Sequence, residues 1–277
     1  MNNDSVSVSQ IAKEDLMEIQ KAKYNLENVS FLMKAFNTIG TPIDSGMALI
    51  PEKYQDKVQH TIQQALRLAV KANLRTMKNG VPGKKASSTM YKMVTGFSGA
   101  AGGFLGVAGF TGDLLVSTKF MMRSILDIAR SQGENVHDIE TQLACLEVFA
   151  LGGTSEDDDE IDTSYYATRA ALHTAMNHAG AYIAQNGTSK ILETLAAQSS
   201  APLAKVISQV AARYSLQVSE KFMAQLIPVV GAATGASINM VFISHFQKMA
   251  TAHFTLRRME RKYGHRFIET SFAELPS

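Results

Sequence analysis

The 277-residue sequence has one cysteine, Cys145, no tryptophan and only 6 prolines. A single thiol excludes an intramolecular disulfide framework and gives no sign of an oxidising compartment. The charged fraction of 19% is below the usual quarter, and the formal net charge of +2 is too small to require nucleic acid as a partner. The first twenty residues lack the basic and apolar regions of a secretory signal. These absences favour the cytoplasmic side of a membrane.

Apolar residues are plentiful by contrast. They make up 45% of the chain and include 14 methionines and 13 phenylalanines, enough to bury a substantial core. With so few prolines, this mix is typical of packed helices rather than strands and turns. We therefore predict an all-α fold, a single bundle of about eight to ten helices.

Helical periodicity divides the chain. Apolar residues at helical spacing predict a long first helix from Ser9 to Ile39, and Pro51 suits the first turn of a second helix that ends before Asn79-Gly80. The breaks at Gly133, Gly152 and Asn186-Gly187 separate later segments. These later helices are predicted over 114–128, 138–151, 163–184, 188–197 and 202–214.

Two long stretches carry no charged residue, Met93 to Gly112 and Phe222 to Ser244. Each glycine costs a helix about 1 kcal/mol, so a glycine face is expected only where another element packs closely. We expect two central glycine- and alanine-rich helices, buried in the bundle, inserted reversibly into a membrane or spanning it. Their packing residues would be Gly96, Gly99, Gly103, Gly106, Gly109, Gly231 and Gly235.

Between Glu156 and Asp162, six of seven residues are carboxylates. Repulsion among like charges should keep this run solvated, as a loop at 154–162 between the two halves of the chain. The run lacks the glycine and the ligand spacing of a calcium loop, so we expect no metal there.

No complete catalytic motif is present, and no cofactor or metal is expected. Asp113 is interpreted as a capping or first-turn carboxylate, and Cys145 as a buried, inert thiol because Glu147 faces another side of the helix. The histidines lack the spacing of a zinc helix. An enzyme would have to assemble its site from distant residues, of which the weak candidates are Asp113, Arg123, Glu147, His173 and Asn239.

A basic cluster near the end of the chain alternates with aromatic residues. On one helix it would form a positive face suited to anionic headgroups or to an acidic partner, although a merely solvated face would look the same. Its members are Lys248, Arg257, Arg258, Arg261, Lys262 and Arg266.

Several ordered strings resemble the EcsC family. They include Thr111-Gly112-Asp113 at the end of the glycine run, CLEVFALGG from Cys145, IPVVGAATGASIN from Ile227, and MATAHFTLRRMERKYG from Met249. The resemblance divides the chain into an N-terminal helix at 1–47, an EcsC-like helical domain at 48–264 and a tail at 265–277. The family is named after a protein encoded with a bacterial ABC transporter, which implies work at or near a membrane.

Three functions remain open. The first is a non-enzymatic, membrane-associated accessory or regulatory protein of a transport system, with the membrane surface or membrane transport proteins as partners. The second is a hydrolase-type enzyme, and the third is a protein that inserts its glycine-rich helices and permeabilises membranes. Self-association is compatible with each of them.

Overall fold

The computed structural model describes residues 11–27, 50–76, 106–152, 164–197, 201–226 and 233–276. Those residues form helices and no strand, which confirms the predicted all-α bundle. In chain order the helices are α1 (Lys13–Glu27), α2 (Glu52–Thr76), α3 (Gly106–Ser131), α4 (Ile139–Glu147), a 3₁₀ turn (Val148–Ala150), α5 (Ser164–Ala197), α6 (Ala201–Leu226), α7 (Ala233–Tyr263) and α8 (His265–Glu274).

Two helix boundaries differ from the sequence prediction. Helix α3 begins at Gly106 rather than Leu114, and α6 continues to Leu226 rather than ending near Tyr214. The extension of α6 follows its buried face, because Val218 and Phe222 lie one and two turns beyond Tyr214 and are also buried. The predicted break at Gly187 is confirmed, since φ is +73° at that glycine within α5.

Several predicted features lie outside the described residues. They are the acidic run at 154–162 and the packing glycines Gly96, Gly99, Gly103 and Gly231. Gly106 and Gly109 lie in the first turn of α3, and Gly235 lies in the first turn of α7. No helix among the described residues has the combination of length and hydropathy that a membrane span needs.

Helices α3 and α7 pack against each other in parallel. Near their first turns, Asn239 of α7 donates a hydrogen bond to Asp113 of α3. Further along, Gln247 donates to Ser124 over 2.8 Å, and after the end of α3 Arg258 donates to Gln132 over 3.0 Å. Later residues of α3 thus pair with later residues of α7. The two glycine-containing starts therefore lie at the same end of the bundle, here termed the Asp113 end.

Helix α7 has the largest set of neighbours among the described elements, since it packs on α1, α3, α6, α8 and the 3₁₀ turn. Its buried face supplies Phe242 and Phe246 to an aromatic group completed by Phe149 of the 3₁₀ turn and Tyr214 of α6, with ring centroids 5.0 to 6.2 Å apart. This core fixes α7 relative to α6 and to the 3₁₀ turn that follows α4.

Candidate functional site

A fully buried ion pair joins α3 to α6. The Lys221 Nζ atom lies 2.6 Å from Asp113 Oδ2 and 3.2 Å from Ser117 Oγ, and neither charged side chain has any exposed surface. Asn239 Nδ2 donates to the other carboxylate oxygen of Asp113 over 2.7 Å. Burial lowers the pKa of Lys221, while the negative charge of Asp113 acts in the opposite direction. The network therefore connects three helices at the Asp113 end.

The interpretation of Asp113 as a helix cap is wrong. The helix begins seven residues earlier, at Gly106, so Asp113 projects from its interior into the core. One turn further on, Thr118 and Tyr214 exchange a buried hydrogen bond of 3.0 Å, which extends the polar contact between α3 and α6. Because Asp113 and Lys221 have no exposed surface, we interpret this network as structural rather than catalytic.

A second group of polar residues lies beside a groove of about 930 Å³. Helices α4 and α5 form its walls, and residues from α7 and α8 close it. Leu143, Met176 and Tyr166 give the groove apolar surface, and Glu147 reaches it from the last turn of α4. This is a solvent-reachable site of the size that small ligands occupy.

Glu147 is the most perturbed carboxyl at this groove. Only 10% of its side chain is exposed, and burial raises its pKa to about 7, against the positive charges of Arg169 and Arg257. Its Oε2 atom lies 3.7 Å from His253 Nε2, which is too far for a hydrogen bond. Burial therefore keeps this carboxyl protonated to a higher pH than an exposed glutamate.

Behind Glu147, the ring of His253 is oriented by Tyr165. The Tyr165 hydroxyl lies 3.0 Å from His253 Nδ1 and accepts a hydrogen bond from Arg169 over 3.4 Å. A guanidinium group can only donate, so the hydroxyl hydrogen is free to be donated to His253 Nδ1; in that arrangement the ring proton lies on Nε2, facing Glu147. Burial lowers the pKa of His253 well below its usual value, so the ring is neutral.

The guanidinium groups near the groove are already paired. Arg169 forms a two-point contact with Glu260, at 2.5 and 3.1 Å. Arg257 donates to Glu134 over 3.1 Å and to Glu140 over 3.2 Å. Neither cation makes a hydrogen bond to Glu147 that the structure records.

The five weak catalytic candidates do not form one site. Asp113 and Asn239 meet in the buried network, whereas Glu147 and His173 both line the groove. Arg123 is half-buried on α3 and does not line that groove. For the hydrolase alternative, only Glu147 and His173 of the five candidates therefore line the groove. The side chains that line it include no Ser or Cys that could act as a nucleophile.

Cys145 is fully buried, and burial raises the pKa of its thiol well above the usual value. These properties fit the inert thiol that the sequence indicated. Among the residues that the structure describes, no group of three or more His, Cys, Asp and Glu side chains is placed to hold a metal ion.

Four members of the basic cluster bind carboxylates of the same chain. Arg257 and Arg261 both contact Glu134, while Arg258 contacts Glu18 and Lys262 contacts Asp15. Hydrogen bonds from Lys262 and Tyr263 lower the pKa of Asp15. Two of these ion pairs attach α1 to α7. The other two members, Lys248 and Arg266, are exposed, and no ion pair of theirs is described.

The sequence did not predict the roles of four residues in these sites, Lys221, Arg169, Tyr165 and His253. A signal for Lys221 was present, because Lys221 directly precedes the uncharged stretch from Phe222 just as Asp113 directly follows the stretch that ends at Gly112. The groove residues had no comparable signal, since their contacts join positions 88 to 91 residues apart.

Comparison with known proteins gives one match. The model of the EcsC protein family matches residues 13–259, so the matched region includes α1. No curated protein and no solved structure matches the chain.

The buried ion pair yields a first prediction. Lys221→Met should lower the free energy of unfolding by about 3–5 kcal/mol, because Asp113 would remain buried without its counter-ion. Adding Asp113→Asn should recover part of this loss. Urea unfolding of the three proteins measures both effects, with Lys205→Met on the exposed face of α6 as the control. A Lys221→Met cost below about 1 kcal/mol would contradict the structural role.

The second prediction concerns pH. The folded protein binds the Glu147 proton more tightly than the unfolded chain does, so this group destabilises the fold as pH rises from about 4.5 to 7. Glu147→Gln removes that effect. From pH 5 to pH 8, the free energy of unfolding of Glu147→Gln should therefore rise by about 2 kcal/mol relative to that of the wild type.

Urea unfolding at several pH values tests this prediction. Glu269→Gln, which replaces a half-exposed carboxyl at the same groove, serves as the charge-matched control. If the free energy of unfolding of Glu147→Gln did not rise relative to that of the wild type as pH increases, Glu147 would not be held in its neutral form.

Proposed function

The chain belongs to the EcsC protein family, and from this premise we propose that it is a non-enzymatic, membrane-associated accessory protein that regulates a bacterial transport system. The observation that supports membrane association is the parallel packing of α3 and α7. It brings the described beginnings of α3 and α7, which belong to the two uncharged stretches, to the Asp113 end, which we propose faces the membrane. The link to transport rests on the resemblance to a family named after a transporter-associated protein.

Exposed apolar side chains support this orientation. Val116 lies one turn after Asp113 on α3 and is 40% exposed. On α7, Met240 and Val241 directly follow Asn239 and are 40% and 47% exposed. Transfer of such side chains from water to the boundary between headgroups and acyl chains lowers the free energy of the system.

Exposed lysines follow these apolar residues along both helices. Lys119 comes three residues after Val116, and Lys248 comes seven residues after Val241. At 1.5 Å per residue, these cations lie roughly 5 to 10 Å further from the Asp113 end. Apolar side chains nearer the Asp113 end, with cations further from it, match the order of acyl chains and anionic headgroups in a membrane surface.

This proposal shifts the expected docking surface along α7. The cations from Arg257 to Lys262 would have to leave carboxylates of their own chain before they could bind lipid, which makes their engagement costly. Lys119 and Lys248 carry no such cost in the described contacts. We therefore assign Lys248, rather than the whole basic cluster, to the membrane contact.

Vesicle flotation tests the proposal. Full-length protein should float with vesicles of phosphatidylcholine and phosphatidylserine but not with phosphatidylcholine alone, and high salt should weaken binding. Each cation near an anionic surface is worth about 1 kcal/mol, so the double variant Lys119→Glu, Lys248→Glu should bind at least about tenfold more weakly. Val116→Asp, Val241→Asp should also reduce binding.

The matched control reverses two exposed lysines elsewhere, Lys21→Glu on α1 and Lys205→Glu on α6. Equal loss of binding in this control would mean that net charge, and not the Asp113 end, attracts the protein to the vesicle. Absence of flotation by the wild type under every condition would refute membrane association. Binding that resists high salt would instead favour insertion of the uncharged stretches.

A further inference from the structure

The groove contains a buried carboxyl that lacks a partner. Nine-tenths of the Glu147 side chain is buried, no hydrogen bond to its carboxyl oxygens is recorded, and His253 Nε2 lies 3.7 Å from Oε2. The Nε2 atom is fully buried and makes no hydrogen bond. Buried polar groups are normally satisfied, so an unsatisfied ring nitrogen next to a carboxyl without a hydrogen bond, at the wall of a groove, points to a ligand.

The neighbouring cations leave Glu147 without a direct hydrogen-bond partner. Arg169 and Arg257 make their hydrogen bonds to Glu260, Glu134 and Glu140, although their positive charges still act on Glu147 and oppose the rise of its pKa. Glu269 adds another carboxylate at the rim. A cationic donor that enters the groove can therefore bind Glu147 without breaking an ion pair of the protein.

The walls of the groove favour an apolar ligand body. The apolar lining of the groove comes from Leu143 and Ala144 of α4 and from Tyr166, Met176, Gly180 and Ala184 of α5. A volume of about 930 Å³ is in the range of pockets that hold small organic ligands. Of the three carboxyl groups that line the groove, Glu140 and Glu269 are exposed at its rim, and Glu147 is the one buried beside the apolar wall.

We propose that this groove binds a small organic cation, a primary ammonium group on an apolar chain, with Glu147 as its charged partner. The ammonium group would donate to the Glu147 carboxylate, and its chain would lie along Leu143 and Met176. This site is independent of the membrane contact at the Asp113 end, since none of the residues at that end lines the groove.

Binding should depend on pH through Glu147. An ammonium ligand requires the carboxylate form, so the complex gives up the Glu147 proton wherever the free protein holds it. The groups facing Glu147 are Arg169 and Tyr165 from α5 and His253, Arg257 and Glu260 from α7. At the rim, the titratable histidines are His173 on α5 and His265 on α8.

Isothermal titration calorimetry on the full-length protein tests the proposal with three probes of equal chain length, n-hexylammonium chloride, n-hexanol and sodium hexanoate. Hexylammonium should bind more tightly than either of the others. Its affinity should rise about tenfold from pH 6 to pH 8, because the carboxylate fraction of a group with pKa about 7 rises from about one tenth to about nine tenths.

Two variants assign the effect to one residue. Glu147→Gln has the shape of the protonated side chain, so it should fold normally, bind hexylammonium at least about tenfold more weakly and lose the pH dependence. Glu220→Gln is the matched control: burial raises the pKa of Glu220 to about 7 as well, but this residue lies on α6 and does not line the groove. It should bind as the wild type does.

Three results would overturn the proposal. They are no binding of hexylammonium to the wild type, equal affinity for hexanol and hexylammonium, and unchanged affinity in Glu147→Gln. Equal weakening in Glu220→Gln would place the pH-linked group on α6 and would also contradict the assignment to Glu147.

Discussion

Asp113 and Lys221 are buried side by side, and each would be strongly destabilising without the other. Removing one ion from water costs several kcal/mol even in a relaxed protein interior, so α3 and α6 are stable together only in the register that brings the two charges within 2.6 Å. Asn239 adds α7 to this contact by donating to the same carboxylate. Asp113 borders one uncharged stretch and Lys221 borders the other, so this ion pair holds the described residues next to both stretches at the same end of the bundle.

The two ends of α7 consequently have different chemistry. At the Asp113 end its exposed residues are apolar and then basic, which suits an external anionic surface. At the other end the basic residues bind Asp15, Glu18 and Glu134, and they stabilise the contacts of α7 with α1 and with the turn after α3. Between these ends, His253 and Arg257 support the Glu147 groove. One helix thus contributes to a surface, an internal ion-pair network and a binding groove.

Local patterns predicted the fold well and the sites poorly. Helical periodicity identified the bundle, and the glycine at 187 was recognised as a break because it acts through its own backbone. Asp113 was misinterpreted since its partner Lys221 lies 108 residues away. The basic cluster was visible, but its carboxylates lie 117 to 247 residues distant, so pairing could not be read from spacing. The Glu147 site depends on burial and on α5 and α7, which no local pattern encodes.

Hydrogen exchange followed by mass spectrometry, with and without vesicles containing phosphatidylserine, tests the membrane-facing orientation most directly. The account predicts slower exchange in the presence of vesicles over 106–123 and 238–248, where the exposed apolar side chains and lysines of α3 and α7 lie. Residues 257–266, whose basic side chains are mostly paired within the chain, should exchange at the same rate in both conditions. Protection confined to 257–266, with 106–123 and 238–248 unchanged, would contradict the account.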